Sequence, residues 1–243
     1  MIFLKNINFT QSIEFETTRQ SHTSRKTRVE TYKDRMSRKR QTTWFEVIPK
    51  DFNIDFSDIT IIVGDNGYGK TTLLKEFKLP DFSRCSTKEE VQAIFGKYLK
   101  NDRRTLTLKA TPAGVMILNE LHKSAIQKEM NAKNSADMYF GKEGATNDFV
   151  NLIMASDDSN GEVVIDILFS LDVENTVIVL DEPETSLSLK SIGKLKSLIS
   201  EWSKKNQLII STHHPYLMQM APQVFDIERG KFVDTNEYLK QFN

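Results

Sequence analysis

A chain of 243 residues is long enough for one large α/β domain or two small ones, and its 33 basic and 33 acidic side chains cancel, so net charge favours no polyanionic partner. The single cysteine, Cys85, excludes an intrachain disulfide and a cysteine metal cluster, which suits a reducing compartment. Apolar runs such as Thr176 to Leu180 fall far short of the roughly 20 residues a membrane helix needs, and the amino terminus lacks a signal-peptide layout, so the chain is expected to be soluble, cytoplasmic and without a membrane partner.

Residues 2–17 alternate loosely and are rich in β-formers, which predicts a hairpin or two short strands. A basic insertion follows at about 17–43. It holds nine basic residues, from Arg19 through Arg38, Lys39 and Arg40, against only Glu30 and Asp34, a formal +7 that leaves −7 for the remainder. So few apolar side chains fit a solvated insertion between two strands. A sharper alternative reads the 19–40 cluster as an arm that contacts nucleic-acid phosphates by counterion release.

Trp44 to Ile48 and Asp58 to Val63 are predicted strands, separated by a short spacer containing Pro49 and Asp55. The second strand runs into Gly64-Asp65-Asn66-Gly67-Tyr68-Gly69-Lys70-Thr71, a match to the P-loop pattern G-x-x-x-x-G-K-[ST] at every fixed position. Backbone amides can wrap a phosphate only where no side chain intrudes, hence Gly64, Gly67 and Gly69. Lys70 would reach the β and γ phosphates of a nucleoside triphosphate, and Thr71 would offer its hydroxyl to magnesium. Asn66 and Thr72 complete the expected nucleotide-binding set, with a helix expected to begin near Gly69 and point its positive end at the phosphates.

Ser86 to Glu90 resembles a capping sequence for a helix continuing to Leu99. Thr105 to Ala110, a turn at Thr111 to Gly114, and Val115 to Leu118 predict a β-hairpin, followed by a polar helical pattern from Asn119 to about Met130. Residues 131–160 carry little periodicity, and the whole span 80–160 reads as a helical, variable subdomain.

Thr176-Val177-Ile178-Val179-Leu180-Asp181-Glu182 is an unbroken apolar run ending in two acids, the Walker B pattern of a strand buried on both faces. Asp181 would hold magnesium, and Glu182 would orient or deprotonate the attacking water. The helix Leu187 to Lys204 carries one apolar stripe, Ile192, Leu195, Leu198, Ile199 and Trp202. Gln207 to Pro215 is a further apolar strand ending in polar residues. Its His213, 32 residues after Asp181, is placed to meet the γ-phosphate or the water. A closing hairpin is expected over 224–233 and a short helix over 237–242.

In this order, P-loop, Walker B and histidine resemble the ABC-type ATPases. That family carries a signature of the form L-S-G-G-Q about twenty residues before Walker B, where this chain has Ser159-Asn160-Gly161-Glu162. The resemblance implies that Ser159 and Gly161, opening a helix over 162–171, face the γ-phosphate held by a second protomer. Two chains would then sandwich two ATP molecules as an ATP-induced homodimer. Asp181-Glu182-Pro183-Glu184 further resembles the soluble branch that includes SMC, RecF and OLD ATPases of DNA repair and phage defence, here with only 87 residues between Thr71 and Ser159 and so no coiled-coil arm. For the family's Q-loop the candidates are Gln92 and Gln127; for the adenine-stacking aromatic they are Trp44 and Phe45.

The expected fold is a single α/β domain over 1–243, an ABC-ATPase head with a mixed central sheet flanked by helices, a β-rich amino-terminal subdomain and a helical subdomain bearing the signature. The expected function is a magnesium-dependent ATPase switch acting on a separately encoded effector, a nuclease or toxin, or on nucleic acid. The ATP-binding subunit of a membrane transporter is the alternative, and a module that binds ATP without turning it over is a third.

Overall fold

The computed structural model describes residues 2–19, 41–77, 86–119, 138–139, 165, 168–169, 173–185 and 187–242. The signature at Ser159 and Gly161, the greater part of the basic insertion and Gln127 lie outside these residues.

Strands β1 (Leu4–Phe9), β2 (Ile13–Arg19), β3 (Gln41–Ile48), β4 (Asn53–Asp55) and β5 (Ile59–Val63) lead to helix α1 (Lys70–Lys75). Helix α2 (Lys88–Leu99), then β6 (Arg104–Leu108), β7 (Gly114–Asn119) and β8 (Met138–Tyr139) follow. Strand β9 (Thr176–Asp181), helix α3 (Leu189–Trp202), β10 (Gln207–Ser211), α4 (Pro215–Met218), β11 (Gln223–Asp226), β12 (Lys231–Asp234) and α5 (Thr235–Lys240) complete the chain.

The main sheet has seven strands in the order β12-β11-β5-β10-β9-β7-β8. Its interior pairings are parallel, while β12 and β8 run antiparallel at the edges, which makes the mixed sheet expected of this α/β chain. Side-chain alternation divides the core between the two faces of that sheet. Ile61, Val63, Ile178, Leu180, Leu208 and Ile210 point to the side covered by the α3 stripe Ile192, Leu195, Leu198, Ile199 and Trp202. Ile62, Val177, Val179 and Ile209 point the other way, onto Leu73, Leu74 and Phe77 from α1 and its end and onto Ile7, Phe9 and Ile54 of the amino-terminal strands. Burial on both faces is why these strands read as continuous apolar runs.

Helix α2 starts at a complete capping box. The Thr87 side chain accepts from the Glu90 amide, and the Glu90 carboxylate accepts from the Thr87 amide. The carboxyl-terminal hairpin forms as β11 and β12, and the terminal helix begins two residues earlier than expected, where the Asp234 side chain caps the Asn236 and Glu237 amides.

Residues 105–118 do not form a hairpin. Strand β6 pairs antiparallel with β1, whereas β7 enters the main sheet parallel to β9. The reason lies in burial. Val115, Met116, Ile117 and Leu118 are all buried, which only an interior strand allows, while β6 buries alternate residues, Arg104 and Leu106. Of the two options for residues 2–17, separate strands is the one realised: β1 pairs with β4 and β6, and β2 pairs with β3. The spacer after Ile48 also contains a strand, β4, because Ile54 buries beneath β1.

Besides its apolar packing, the three-stranded sheet β4-β1-β6 is tied to the main sheet through the Gln207 side chain. Gln207, fully buried at the start of β10, accepts at Oε1 from the Phe3 and Leu4 amides at 3.0 and 2.8 Å. Its Nε2 donates to the Leu4 and Ser57 carbonyls at 2.8 and 3.1 Å. Replacing it with an apolar residue orphans two backbone donors. Gln207→Leu is therefore expected to lower unfolding free energy by about 2–4 kcal/mol, measured by urea denaturation. A loss under about 1 kcal/mol would show that apolar contact alone holds the two sheets together.

Candidate active site

The site stands at the carboxyl edge of β5, β9 and β10, where open α/β sheets place their ligands. Beyond Val63 the backbone turns at Gly64 with φ +143° and passes so close to the segment after β11 that a Cβ on Gly64 would lie 2.6 Å from Ile227 Cγ2. Gly67 and Gly69 also take positive φ, 94° and 91°, and Gly69 is the left-handed residue that opens α1. No side chain caps α1. A Cβ at Gly67 would meet nothing within 4 Å, so that face of the loop is open.

Lys70 is buried at 4% exposure and arches back over the loop, its Nζ donating to the Gly64 and Asp65 carbonyls at 2.9 and 3.2 Å. The same Nζ lies 3.7 Å from Glu182 Oε1. Asn66 and Thr71 are exposed, and Thr72 is partly buried behind them.

Register carries the second half of the site. Pairing of β10 with β9 sets Ser211 opposite Asp181, and pairing with β5 sets it opposite Ile62. The fully buried Ser211 hydroxyl donates to Asp181 Oδ1 at 2.5 Å and accepts from the Glu182 amide at 3.0 Å. Glu182 itself is held in left-handed backbone, φ 48°, a conformation that a non-glycine residue keeps only where its surroundings enforce it. Its amide also reaches the Ser211 carbonyl at 3.1 Å, and its carbonyl accepts from the Thr185 amide at 3.0 Å. So constrained, Glu182 Oε1 stands 3.2 Å from His213 Nε2. Glu182 and His213 are 33% and 39% exposed, within reach of a ligand, whereas the buried Lys70 meets Glu182 from the protein side.

Of the residues singled out in the sequence, Lys70 and His213 both approach the Glu182 carboxylate, and Asp181 precedes it with its own carboxylate bonded to Ser211. Three residues that the sequence did not single out for the site also take part. Ser211 and Glu184 lie among the polar residues that end their strands, which is a local signal. Glu228 offered none. It reaches from beyond β11 to accept from the Asp65 amide at 2.7 Å. Near it, burial first and then the carboxylates of Asp226, Glu228 and Asp65 push the Tyr238 hydroxyl up to about 12, against a smaller opposing effect of Arg229. Tyr238 therefore stays a neutral residue beneath an acidic shoulder of the loop.

The donor set fits a nucleoside triphosphate with magnesium. Open glycine backbone and a lysine suit phosphate oxygens, and a threonine hydroxyl with a buried carboxylate suits a hard divalent cation that shares its remaining positions with water and phosphate.

A family model described as "AAA domain, putative AbiEii toxin, Type IV TA system" matches residues 117–219, less than half of the chain. Among curated proteins, the energy-coupling factor transporter ATP-binding protein EcfA2 of Mycoplasmoides gallisepticum is 22% identical over 205 residues, covering 75% of this chain and 64% of the relative. The ABC transporter ATP-binding protein ARB1 of Saccharomyces cerevisiae is 26% identical over 189 residues, covering 73% and 28%. The chain therefore spans less than two thirds of the length of either. Among solved structures, cbiO1 from Clostridium perfringens, part of the ABC transporter complex cbiONQ, aligns over 98% of this chain and 92% of its own, with a TM-score of 0.48 and 14% identity.

Both the positive φ and the close contact at Gly64 forbid a side chain there. Gly64→Ala is expected to destabilise the fold by about 1–3 kcal/mol, read as a lower melting temperature. Unchanged melting would show that Ile227 and the loop yield freely.

Proposed function

We propose that the chain is an ATP-binding and ATP-hydrolysing head of the ABC type. The observation that carries this is the placement of one carboxylate, Glu182, between the P-loop lysine at 3.7 Å and the His213 imidazole at 3.2 Å. The family match and the curated relatives, all named for ATP-binding proteins or an AAA domain, support the same reading.

Gly64, Asn66, Gly67, Gly69 and Thr72 form the cradle for the phosphates, and Lys70 leaves the loop carbonyls to pair with the β and γ oxygens. Thr71 and Asp181 would hold magnesium, which when bound would supply positive charge to offset that on the phosphates. Glu182 orients the attacking water and accepts its proton. His213 Nε2, 3.2 Å from Glu182 Oε1, aims that carboxylate before nucleotide enters and turns its one N–H to the γ-phosphate once ATP is bound. Ser159 and Gly161 of a second copy close the site from the far side, so that ATP binding joins two heads and hydrolysis parts them.

What the switch drives is read as a separately encoded effector, a nuclease or toxin, in DNA repair or anti-phage defence. The family description names a "putative AbiEii toxin" of a toxin–antitoxin system, a setting outside membrane transport, and names no separate effector or repair pathway. The names of the curated relatives favour the transporter-subunit alternative. Among the described residues no helix is long and apolar enough to cross a membrane.

Glu182→Gln is expected to bind ATP, to turn over about 100- to 10,000-fold more slowly and to accumulate as a dimer with ATP and magnesium in size-exclusion chromatography. Lys70→Ala, in parallel, should lose nucleotide binding or turnover. Normal phosphate release by either variant rejects the assigned role. Purification of Glu182→Gln complexes from the native cell separates the two readings: a soluble effector at fixed stoichiometry supports the first, a membrane-embedded subunit the second.

The basic segment 19–40 is read as an arm for nucleic-acid phosphates. Replacing Arg38, Lys39 and Arg40 with Ala should weaken DNA and RNA retention at low salt in a gel-shift titration; equal retention by both proteins would mean a solvated insertion only.

A further inference from the structure

Beside the hydrolytic edge stands a third carboxylate that the scheme above leaves unused. Glu184 lies two residues beyond Glu182, across the buried Pro183, in a turn closed by the Thr185 amide on the Glu182 carbonyl. Its Oε1 accepts twice from the end of β10, from the Thr212 hydroxyl and from the His213 amide, each at 2.7 Å. The Thr212 oxygen in turn accepts from the His214 amide at 3.0 Å. The peptide amides on both sides of His213 are therefore tied, directly or through one hydroxyl, to a single carboxylate oxygen. The other oxygen, Oε2, is buried with no hydrogen-bond partner among the described residues. A side chain serving stability alone gains nothing from burying an acceptor without a donor.

The geometry points to a positioning residue, and we infer that Glu184 fixes the backbone from which His213 reaches Glu182. The turn aims two carboxylates at one strand end. Glu182 meets the imidazole at Nε2, and Glu184 holds the peptide that carries it. With that clamp released, the His213 side chain, 39% exposed, is free to leave the 3.2 Å contact. Displacement of a reacting group by about 1 Å can lower turnover on the order of a hundredfold. Nucleotide affinity depends on the P-loop, on the other side of Glu182, and is untouched.

This inference rests on the hydrolytic reading of the site, and steady-state ATP turnover of the full-length protein tests both. Glu184→Ala is expected to lower kcat about 10- to 100-fold with KM for ATP changed less than about twofold. Glu184→Gln, which keeps an acceptor at Oε1, should restore most of the rate. In a His213→Ala background, Glu184→Ala should slow the enzyme by less than about twofold more, because two residues acting through one imidazole are not additive. Should Glu184→Ala fail to fold, Thr212→Val, which removes one of the two donors from a fully buried site, should itself lower kcat and become silent when combined with His213→Ala. Wild-type kcat in Glu184→Ala, or losses that multiply with His213→Ala, would overturn the clamp while leaving the ATPase reading intact. A wild-type chain that releases no phosphate over multiple turnovers would instead remove the ATPase reading, and the clamp with it.

Discussion

The hydrogen bond from Ser211 to Asp181 is the contact on which the arrangement of the site depends. It joins the ends of β9 and β10 at the point where their register brings Ser211 level with Asp181. Because both strands are buried on both faces, a slip of one residue would turn every apolar side chain toward the wrong layer, so the register is fixed by the core and not by the site. The polar ends inherit that precision. A buried carboxylate such as Asp181 also needs a donor, and Ser211 supplies one without adding charge.

Strand β10 is tied at both ends. At its start Gln207 links it to β1 and to Ser57, and at its finish Ser211, Thr212 and His213 engage the turn after β9. Between these anchors lie Leu208, Ile209 and Ile210, fully buried and alternating between the two core layers. The strand is thus a rigid mount for His213, while the left-handed peptide at Glu182 is the strained element placed against it. Rigid support beside local strain is a common way to preorganise a carboxylate for the role proposed for Glu182.

The switch and transporter readings share the same proposed nucleotide site. An ATPase head does the same work on its nucleotide whether its motion is passed to an effector or to a membrane subunit. The distinction belongs to surfaces away from β5, β9 and β10, and a fold-level likeness does not transfer it.

Much of this was legible in the chain alone. The P-loop, the apolar run into Asp181 and Glu182, the α3 stripe, the capping box before α2 and the closing hairpin all depend on residues close in sequence, so spacing and periodicity specify them. The helical core residues Ile165 and Leu168 fall within the span 162–171 that the family resemblance implied. What spacing could not supply was partnership across distance. A turn signal at Thr111 to Gly114 looks the same whether the flanking strands pair with each other or part into two sheets, and only the burial of every residue from Val115 to Leu118 decides it. Gln207 bonding residues some two hundred positions away, Glu228 reaching Asp65, and Glu184 holding His213 leave no local pattern. Sequence by itself determined which chemical groups stand at the ends of which strands; the tertiary structure decided which ends meet, because register and sheet order are set by burial summed over the whole core.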